Sequence, residues 1–580
     1  MSRFRPDHSL LGYLTKTSNE IQPAIVIDDP DIEQWDEACD VLVVGAGLAG
    51  VATALKAAED ASLDIIAVDR GTGGGASALS GGVVYAGGTR VQRQEGIEDS
   101  ADNMAQYLAL ETGGVVQPET VRRFAQASAA FIPWLERHGA RFGGPVTMAK
   151  TSYPGTSFLY FSGNERTPAA RAAATPAPRG HRALPQDPAR LSEQSGAELL
   201  TPLLASLNAQ PNIRLLRQTR ATRLVLDREG AVVGIEVQSI PPGTGAARRH
   251  ALYMKIGGHM TLNMLGLLGP VQRMAARLER KAARPLRIRA RRGVVLSAGG
   301  YAFNRAMIDA LAPAYSKSMP LGTMADDGSG VKLGMTAGGK ADKLDRMSAW
   351  RFVYPPSAWT KAVSVGPDGE RLLSEELYGA QTGEAVFEKG RGKGWLILDS
   401  TLQAKVREEM VSPELMTFQQ MQTQTAVKRY TAKADTLEEL ASKIGVPPGR
   451  LRTMIEKHNE DLRQGRPDAF GKSDDLRKPV ETGPFYATEI SGGLKFSPIP
   501  ALSMGGLVVD EESGQVVDEN GSGIPGLYAA GRTAIGICSH YYISGLSLGD
   551  CMFSGWRAAE SLKGNGGVHA LTPRRTQAAS

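Results

Sequence analysis

The sequence predicts an α/β protein: a Rossmann-like dinucleotide-binding domain interrupted by an inserted α+β unit. Three observations predict it. Near the start, Asp40-Val41-Leu42-Val43-Val44-Gly45-Ala46-Gly47-Leu48-Ala49-Gly50 reads as a strand, a glycine turn and the opening of a helix. Near the end, Ile524-Pro525-Gly526-Leu527-Tyr528-Ala529-Ala530-Gly531-Arg532 reads as a strand and a glycine turn, and Tyr541–Asp550 as the entry to a new helix. Between them, residues 304–496 change texture, with more aromatics, loops and amphipathic helices such as 436–463. The expected division is 1–303 with 497–580 for the nucleotide domain and 304–496 for the substrate domain. At 580 residues the chain is too long for one ordinary core.

Val41 to Val44 is an apolar run of strand formers, as a buried parallel strand requires. The G-x-G-x-x-G follows it directly, and Val51 to Ala61 reads as an alanine-rich helix. Gly45 permits the tight turn, Gly47 lets the backbone approach a pyrophosphate, and Gly50 lets helix pack on strand. The helix N-terminus offers free N–H groups and a positive dipole end to the phosphates. A second strand, Asp64 to Val68, ends in Asp69, an acid placed to accept hydrogen bonds from a ribose diol. Gly71 to Gly82 then reads GTGGGASALSGG. Glycines with Ser77 and Ser80 suit backbone wrapped closely round a diphosphate and a flavin ring, which favours FAD over NAD.

Further along, residues 98–140 carry helical periodicity, with Met104, Leu108, Phe124, Phe131 and Leu135 as expected core. Residues 167–188 are rich in proline and alanine and read as an irregular loop. Ile213 to Val237 alternates like strands, and Val294 to Gly300 reads as another buried strand ending in glycines. From Arg248 to Arg292 there are twelve Lys/Arg and one acid, Glu279, around an apolar stretch at 251–274. A basic rim on an apolar patch fits peripheral contact with an anionic membrane through 248–292. Residues 1–38 read as a leader without strong pattern.

Composition excludes several classes. A net charge of +5 is too mild to indicate nucleic acid. Cys39, Cys538 and Cys551 form neither a metal spacing nor a disulfide framework, so no metal is expected and a reducing compartment is the default. No stretch reaches the ~18 uncharged apolar residues of a spanning helix. The N-terminus lacks a signal-peptide pattern, so a cytoplasmic location, with membrane association through the basic segment, is expected.

Taken together, these pieces resemble the succinate dehydrogenase/fumarate reductase flavoprotein superfamily and, within it, the bacterial 3-ketosteroid dehydrogenases. The resemblance runs from about Asp40 to Leu562. It rests on DVLVVGAGLAG, GGGASALSGGVVYAGGT, SGNE at Ser162–Glu165, APRGH at Ala177–His181, VVLSAGG, GLYAAGR and YYISGLSLGD. It implies non-covalent FAD, a Rossmann-like flavin domain, an inserted catalytic domain and an active site between them. Gly45, Gly47, Gly50, Asp69, Ser77, Ser80, Gly81, Gly82, Gly531, Ser547 and Leu548 carry over as flavin contacts. Leu48, Ala49, Arg70, Gly75, Ala76, Thr222, Ala298, Gly299 and Arg532 complete the expected cofactor set. One departure is Asp69, where the family usually has glutamate.

The resemblance also separates reactions. Fumarate reductases bind a dicarboxylate with histidine and arginines. Where their C-terminal loop carries arginine, this chain reads Tyr542-Ile543-Ser544-Gly545-Leu546. At or within one residue of the place of their catalytic arginine stands Tyr378. Losing guanidinium groups removes bidentate recognition of carboxylates. Tyrosines suit oxidation of a ketone to an enone. Tyr542, helped by amides near Gly545, is expected to polarise the ketone oxygen, and Tyr378 to take the proton, with Ser544 as relay and Tyr354 in reserve for either role. Tyr542-Ile543-Ser544 and the stretch Gly87 to Gln92 resemble the group acting at C4–C5 of 5α-reduced 3-ketosteroids. The expected substrate is a steroid or steroid-like ketone, with an unknown electron acceptor. The alternatives are a 3-oxosteroid 1-dehydrogenase, a fumarate-reductase-like enoate reductase, and a non-catalytic electron-transfer flavoprotein subunit.

Overall fold

A computed structural model describes residues 21–150, 154–187, 195–260, 265–412, 415 and 417–564. The expected leader up to residue 20, residue 188 of the proline-rich stretch, residues 261–264 of the basic segment and residues 565–580 of the expected nucleotide domain lie outside the described residues.

The labelled elements, in chain order, begin with β1 (Glu37–Val44), α1 (Leu48–Ala57), β2 (Ile65–Asp69) and α2 (Pro118–Arg137). They continue with β3 (Ile213–Arg217), β4 (Thr219–Leu226), β5 (Val232–Ser239), α3 (Gly245–Met260) and α4 (Leu265–Ala282). The last are β6 (Arg284–Leu296), α5 (Gly379–Glu388), β7 (Gly523–Ala529) and α6 (Leu546–Leu562). One nine-stranded sheet runs Ile25–Val26, β4, β5, β6, β1, β2, β3, with β7 on the end of β6 and Gln515–Val517 on β7. The β6–β1–β2–β3 pairings are parallel. The long β6 serves two neighbours. Its first half pairs antiparallel with β5, and Val294–Leu296 pairs parallel with Leu527–Ala529 of β7. The two chain segments singled out in the sequence therefore meet in one sheet. Val41–Val43 and Val294–Leu296 have no exposed surface, as strands covered on both faces should.

Met104, Leu108, Phe124, Phe131 and Leu135 are fully buried, as their periodicity predicts. Three of the aromatics on α2 grip α6: Phe124 meets Phe553, while Phe131 and Trp134 both meet Trp556, at ring-centroid distances of 5.7, 5.2 and 5.4 Å. Each such pair contributes ~0.5–1.5 kcal/mol beyond burial, and together they fix where α6 begins.

Within 304–496, Val363–Val365, Trp395–Leu398, Phe485–Glu489 and Thr431–Ala434 form a separate four-stranded antiparallel sheet. Helices Leu437–Ile444 and Pro448–Arg463 share its core. Beside it, buried Glu375 is paired with Arg371 and Lys472.

Two expectations need correction. The stretch at 167–188 is not all irregular: it contains the helix Pro168–Ala173 and the strand Gly180–Arg182. Thr167 caps that helix by accepting from the Ala170 amide, and Pro168 sits in the first turn, where its missing N–H costs nothing. The basic segment, expected to form one surface insert over 248–292, is a helical hairpin of α3 and α4 that ends at Ala282. Its last residues are the start of β6, where Arg287 pairs with Glu33 and Glu236, and Arg289 with Asp31. Counting charges hid a strand whose alternation places arginines on its polar side.

Candidate cofactor cleft and active site

At the C-terminal ends of β1, β2 and β6 lies a cleft open to solvent. Thirteen residues expected to contact the cofactor line it: Gly45, Gly47, Leu48, Ala49, Asp69, Arg70, Gly75, Ala76, Ser77, Ala298, Gly299, Gly531 and Arg532. The three motif glycines divide their labour. A Cβ on Gly45, whose φ is +104°, would sit 2.5 Å from the Ser297 carbonyl oxygen. One on Gly50 would collide with the Gly45 carbonyl, so this glycine packs helix on strand. One on Gly47 would meet only Ser77 Oγ, at 3.7 Å, so Gly47 is the glycine that leaves room in the cleft.

Two features fit a pyrophosphate there. The α1 N-terminus ends at Gly47 with no side-chain cap and no acid in its first turn. Arg532 is ion-paired with buried Asp326, yet among the described residues its buried Nη1 has no hydrogen-bond partner. The helix N-terminus favours an anion in the cleft, where Ser77 Oγ already accepts from the Leu48 amide and Arg532 shares the lining.

Asp69 has a second task. Its Oδ2 accepts from the Ala46 amide at 2.8 Å, and its Oδ1 from those of Gly71 and Gly73 at 2.7 and 3.2 Å. The acid therefore ties the glycine turn to the loop after β2. Of the roughly four lone-pair sites of a carboxylate, one remains, on Oδ2, for a ribose hydroxyl. Ser80 braces the same loop, donating to the Ser77 carbonyl and accepting from the Gly82 amide, while Gly82 packs on the Ser195 backbone. Ser80, Gly81, Gly82, Ser547 and Leu548 lie outside the cleft lining, the last two buried in the first turn of α6. Thr222 lies one residue beyond the lining, at a register shift between β4 and β5: Thr219, Arg220 and Ala221 line the cleft, and the Thr222 hydroxyl donates to the Glu236 carbonyl of β5.

The hairpin is tied to the cleft lining through Arg70. Arg70 forks onto Glu279 of α4, at 2.9 and 3.1 Å, and reaches Asp327 at 2.7 Å. Buried His250 of α3 bonds the same Glu279 at 2.9 Å. Desolvation alone would raise the Glu279 carboxyl, but Arg70 and His250 overcome it and hold the group down at about 2. Tyr253, Met254 and Val271 of the hairpin pack on Phe303 and Met324.

The catalytic candidates gather where α6 begins. The Tyr378 and Tyr542 rings lie 6.4 Å apart between centroids. Trp350 stacks on Tyr542 at 4.7 Å, and Phe352 meets Tyr378 edge-on at 5.5 Å. Desolvation pushes the Tyr542 phenol well above its ordinary value, so at neutral pH it is a donor. Ser544 Oγ lies 3.2 Å from the hydroxyl of buried Tyr160, a residue that sequence reasoning missed. Gly545, at φ +89°, caps α6 with no side-chain partner, and its carbonyl accepts from the Tyr85 amide. Tyr354 does not share the burial of the other two: it is 37% exposed, against 4% for Tyr378. The arginines nearest in sequence to Tyr354 and Tyr378 are committed elsewhere. Arg351 donates to the carbonyls of Ile490, Ser491 and Ser497, and Arg371 pairs with Glu375 and Asp468.

Also missed were Asp326, Glu279 and the pair Glu111–Asn164. Asp326 had a local signal, since it stands just before Gly328 and the helix Ser329–Thr336. Asn164 lies in the SGNE stretch already noted. Glu279 showed only as the single acid of a basic segment.

A glycine turn between parallel strands, with a helix N-terminus and Arg532 lining one cleft, defines a dinucleotide-binding protein. The chain belongs to the FAD binding domain family, whose profile matches residues 40–547. A 3-oxo-5-alpha-steroid 4-dehydrogenase of Comamonas testosteroni is 35% identical over 525 residues, covering 89% of this chain and 96% of that protein. A 3-oxosteroid 1-dehydrogenase of Mycobacterium tuberculosis is 27% identical over 572 residues, covering 90% of this chain and 97% of that protein. Among solved structures, the 3-ketosteroid-delta4-(5alpha)-dehydrogenase from Rhodococcus jostii RHA1, in complex with 4-androstene-3,17-dione, matches with a TM-score of 0.74 at 28% identity. That match covers 93% of this chain and 99% of the other.

Proposed function

We propose that this protein is an FAD-dependent dehydrogenase of 3-ketosteroids that desaturates ring A between C4 and C5. The observation that carries the reading is the facing pair Tyr378 and Tyr542 in an aromatic cluster at the start of α6. The flavin, when bound in the cleft, supplies the hydride acceptor at its N5. The C4–H bond lies next to the C3 ketone and is the acidic one, so C4 loses a proton and C5 a hydride. Proton loss puts charge on the ketone oxygen. Tyr542, kept protonated by desolvation, donates to that oxygen, and backbone N–H groups near Gly545 at the positive end of α6 assist. Tyr378, as its phenolate, takes the C4 proton and becomes the neutral phenol. Ser544, 3.2 Å from the Tyr160 hydroxyl, is the proposed partner for passing a proton between those two hydroxyls. Trp350 and Phe352 present rings, not charges, to a neutral fused-ring substrate.

The test is anaerobic bleaching of the bound flavin by a panel of 3-ketosteroids, with fumarate and succinate as controls. Bleaching by the 5α-dihydro analogue of androst-4-ene-3,17-dione is expected, and an artificial acceptor should then sustain turnover. Bleaching by androst-4-ene-3,17-dione alone would move the reaction to C1–C2. An unmoved flavin with every steroid would end the reading.

A peripheral contact with an anionic membrane on the cytoplasmic side belongs to the same proposal. Arg248, Arg249, Lys255, Arg273 and Arg277 are exposed on the hairpin, as are Leu252 and Met274. Among the described residues, no helix is long and apolar enough to cross a membrane. Because Glu279 ties the hairpin to the cleft, the suitable probe is L252E/M274E rather than a deletion. Co-sedimentation with anionic vesicles should fall in this variant, and a wild-type protein that stays in the supernatant removes the contact.

A further inference from the structure

We propose that Asn164, oriented by Glu111, is a positioning residue that sets Tyr378 against Tyr542. The proposal rests on the reading of those tyrosines as the reacting pair. It starts from a buried hydrogen bond between distant parts of the chain: the Tyr378 amide donates to Asn164 Oδ1 at 2.7 Å, across 214 residues of sequence. Asn164 Nδ2 donates to Glu111 Oε1 at 2.9 Å. Glu111 also accepts from the Tyr107 hydroxyl at 2.8 Å and from Gln381 Nε2 at 3.1 Å. Asn164 and Glu111 are 4% exposed.

The chemistry leaves one orientation for the Asn164 amide. A carboxylate only accepts, so Nδ2 must face Glu111; the Tyr378 N–H only donates, so Oδ1 must face Tyr378. Glu111 thereby selects the amide rotamer that holds the Tyr378 backbone. A flipped amide would set two donors against each other at Tyr378 and two acceptors against each other at Glu111.

The same cluster holds the other tyrosine. The Glu111 carbonyl accepts from the Tyr541 amide at 3.3 Å. Two residues before Asn164, the Ser162 carbonyl accepts from the Ser544 amide, and Ser162 Oγ donates to the Ser544 carbonyl at 2.9 Å. Tyr378 and the segment bearing Tyr542 therefore hang from Ser162, Asn164 and the end of one helix, Ala101–Thr112. Nothing in this cluster reaches the reacting atoms; it acts through Tyr378.

The experiment is a double-mutant cycle on the rate of flavin bleaching by the 5α-dihydro steroid, with FAD content measured for every variant. N164A should lower the limiting rate on the order of 10-fold to 100-fold, the scale of an ångström-sized misplacement, with the half-saturating steroid concentration unchanged. N164A/Y378F should be no slower than Y378F, because the effect of Asn164 passes through Tyr378. Additive losses overturn the proposal, as does an N164A rate equal to wild type while Y378F is slow. A fast Y378F instead removes Tyr378 from the chemistry, and the proposal falls with that reading. Should N164A lose its flavin, the exchanged pair N164D/E111Q replaces it. There the new amide donates to the new carboxylate, which still accepts from Tyr378; recovery over N164D supports the proposal, and no recovery overturns it.

Discussion

Replacing Tyr542 by phenylalanine tests the proposed chemistry with little disturbance to the fold. The ring contacts survive: Trp350 stays stacked at 4.7 Å and Tyr378 at 6.4 Å. What is lost is one hydroxyl donor aimed at an oxygen that gains charge as the C4 proton leaves. Removing a single oxyanion donor costs about 3 kcal/mol of transition-state stabilisation. At about 1.4 kcal/mol per tenfold, the limiting rate should fall roughly 10²-fold. The assay is anaerobic stopped-flow bleaching of the flavin, with melting temperature and FAD content as controls. Both controls should match the wild type, since Tyr542 does not line the cleft that holds the glycine turn. A rate within about threefold of wild type would show that the hydroxyl does no polarising, and loss of FAD would show that its role is structural. Because desolvation lifts the phenol above its ordinary ~10, the wild-type rate should keep this donor up to that pH.

Three further outcomes follow from the cleft. G45A should cost about 1–3 kcal/mol of stability in a denaturant titration, since an alanine there takes a left-handed φ and meets the Ser297 carbonyl; G47A should melt like wild type but purify with less FAD. R532M should destabilise the protein by about 3–5 kcal/mol by leaving Asp326 buried and unpaired, with R532K partly restoring it. The Glu279 carboxylate, depressed to about 2 in the folded protein, contributes stability that is full above its ordinary ~4.3 and is lost as pH falls through about 2. FAD release should therefore rise as pH falls across that window, and E279Q should flatten the dependence; a wild-type release rate flat over the same range would refute the clamp.

Legibility in the sequence followed the range of the forces involved. The run Val41–Val44, the glycine spacing after it and the acid at Asp69 were readable because strand, turn and helix are set by neighbours. The strand and turn at 523–532 were readable for the same reason. Local rules reached further than they were pressed at Thr167-Pro168, a cap and first-turn proline inside a stretch that looked irregular. At Thr222 the strand was right and the residue was wrong, because a register shift between β4 and β5, invisible in the strand's own residues, turns its hydroxyl onto the Glu236 carbonyl. In the basic segment, charge counting merged a helical hairpin with the start of β6, although the alternation from Arg284 to Ala290 was present.

The sequence by itself determined that this chain binds a flavin dinucleotide through its two ends, a property that resides in residue types and short spacings; that tyrosines stand where a dicarboxylate enzyme would keep arginines is what the family resemblance implies. Only the tertiary structure decided that Tyr378 and Tyr542 face each other while Tyr354 stands exposed, and that Glu279 pairs with Arg70 of the cleft lining. It also decided that Asn164 and Glu111 hold the segments bearing Tyr378 and Tyr542. Each of those arrangements joins residues tens to hundreds apart, and only packing brings them within hydrogen-bond reach.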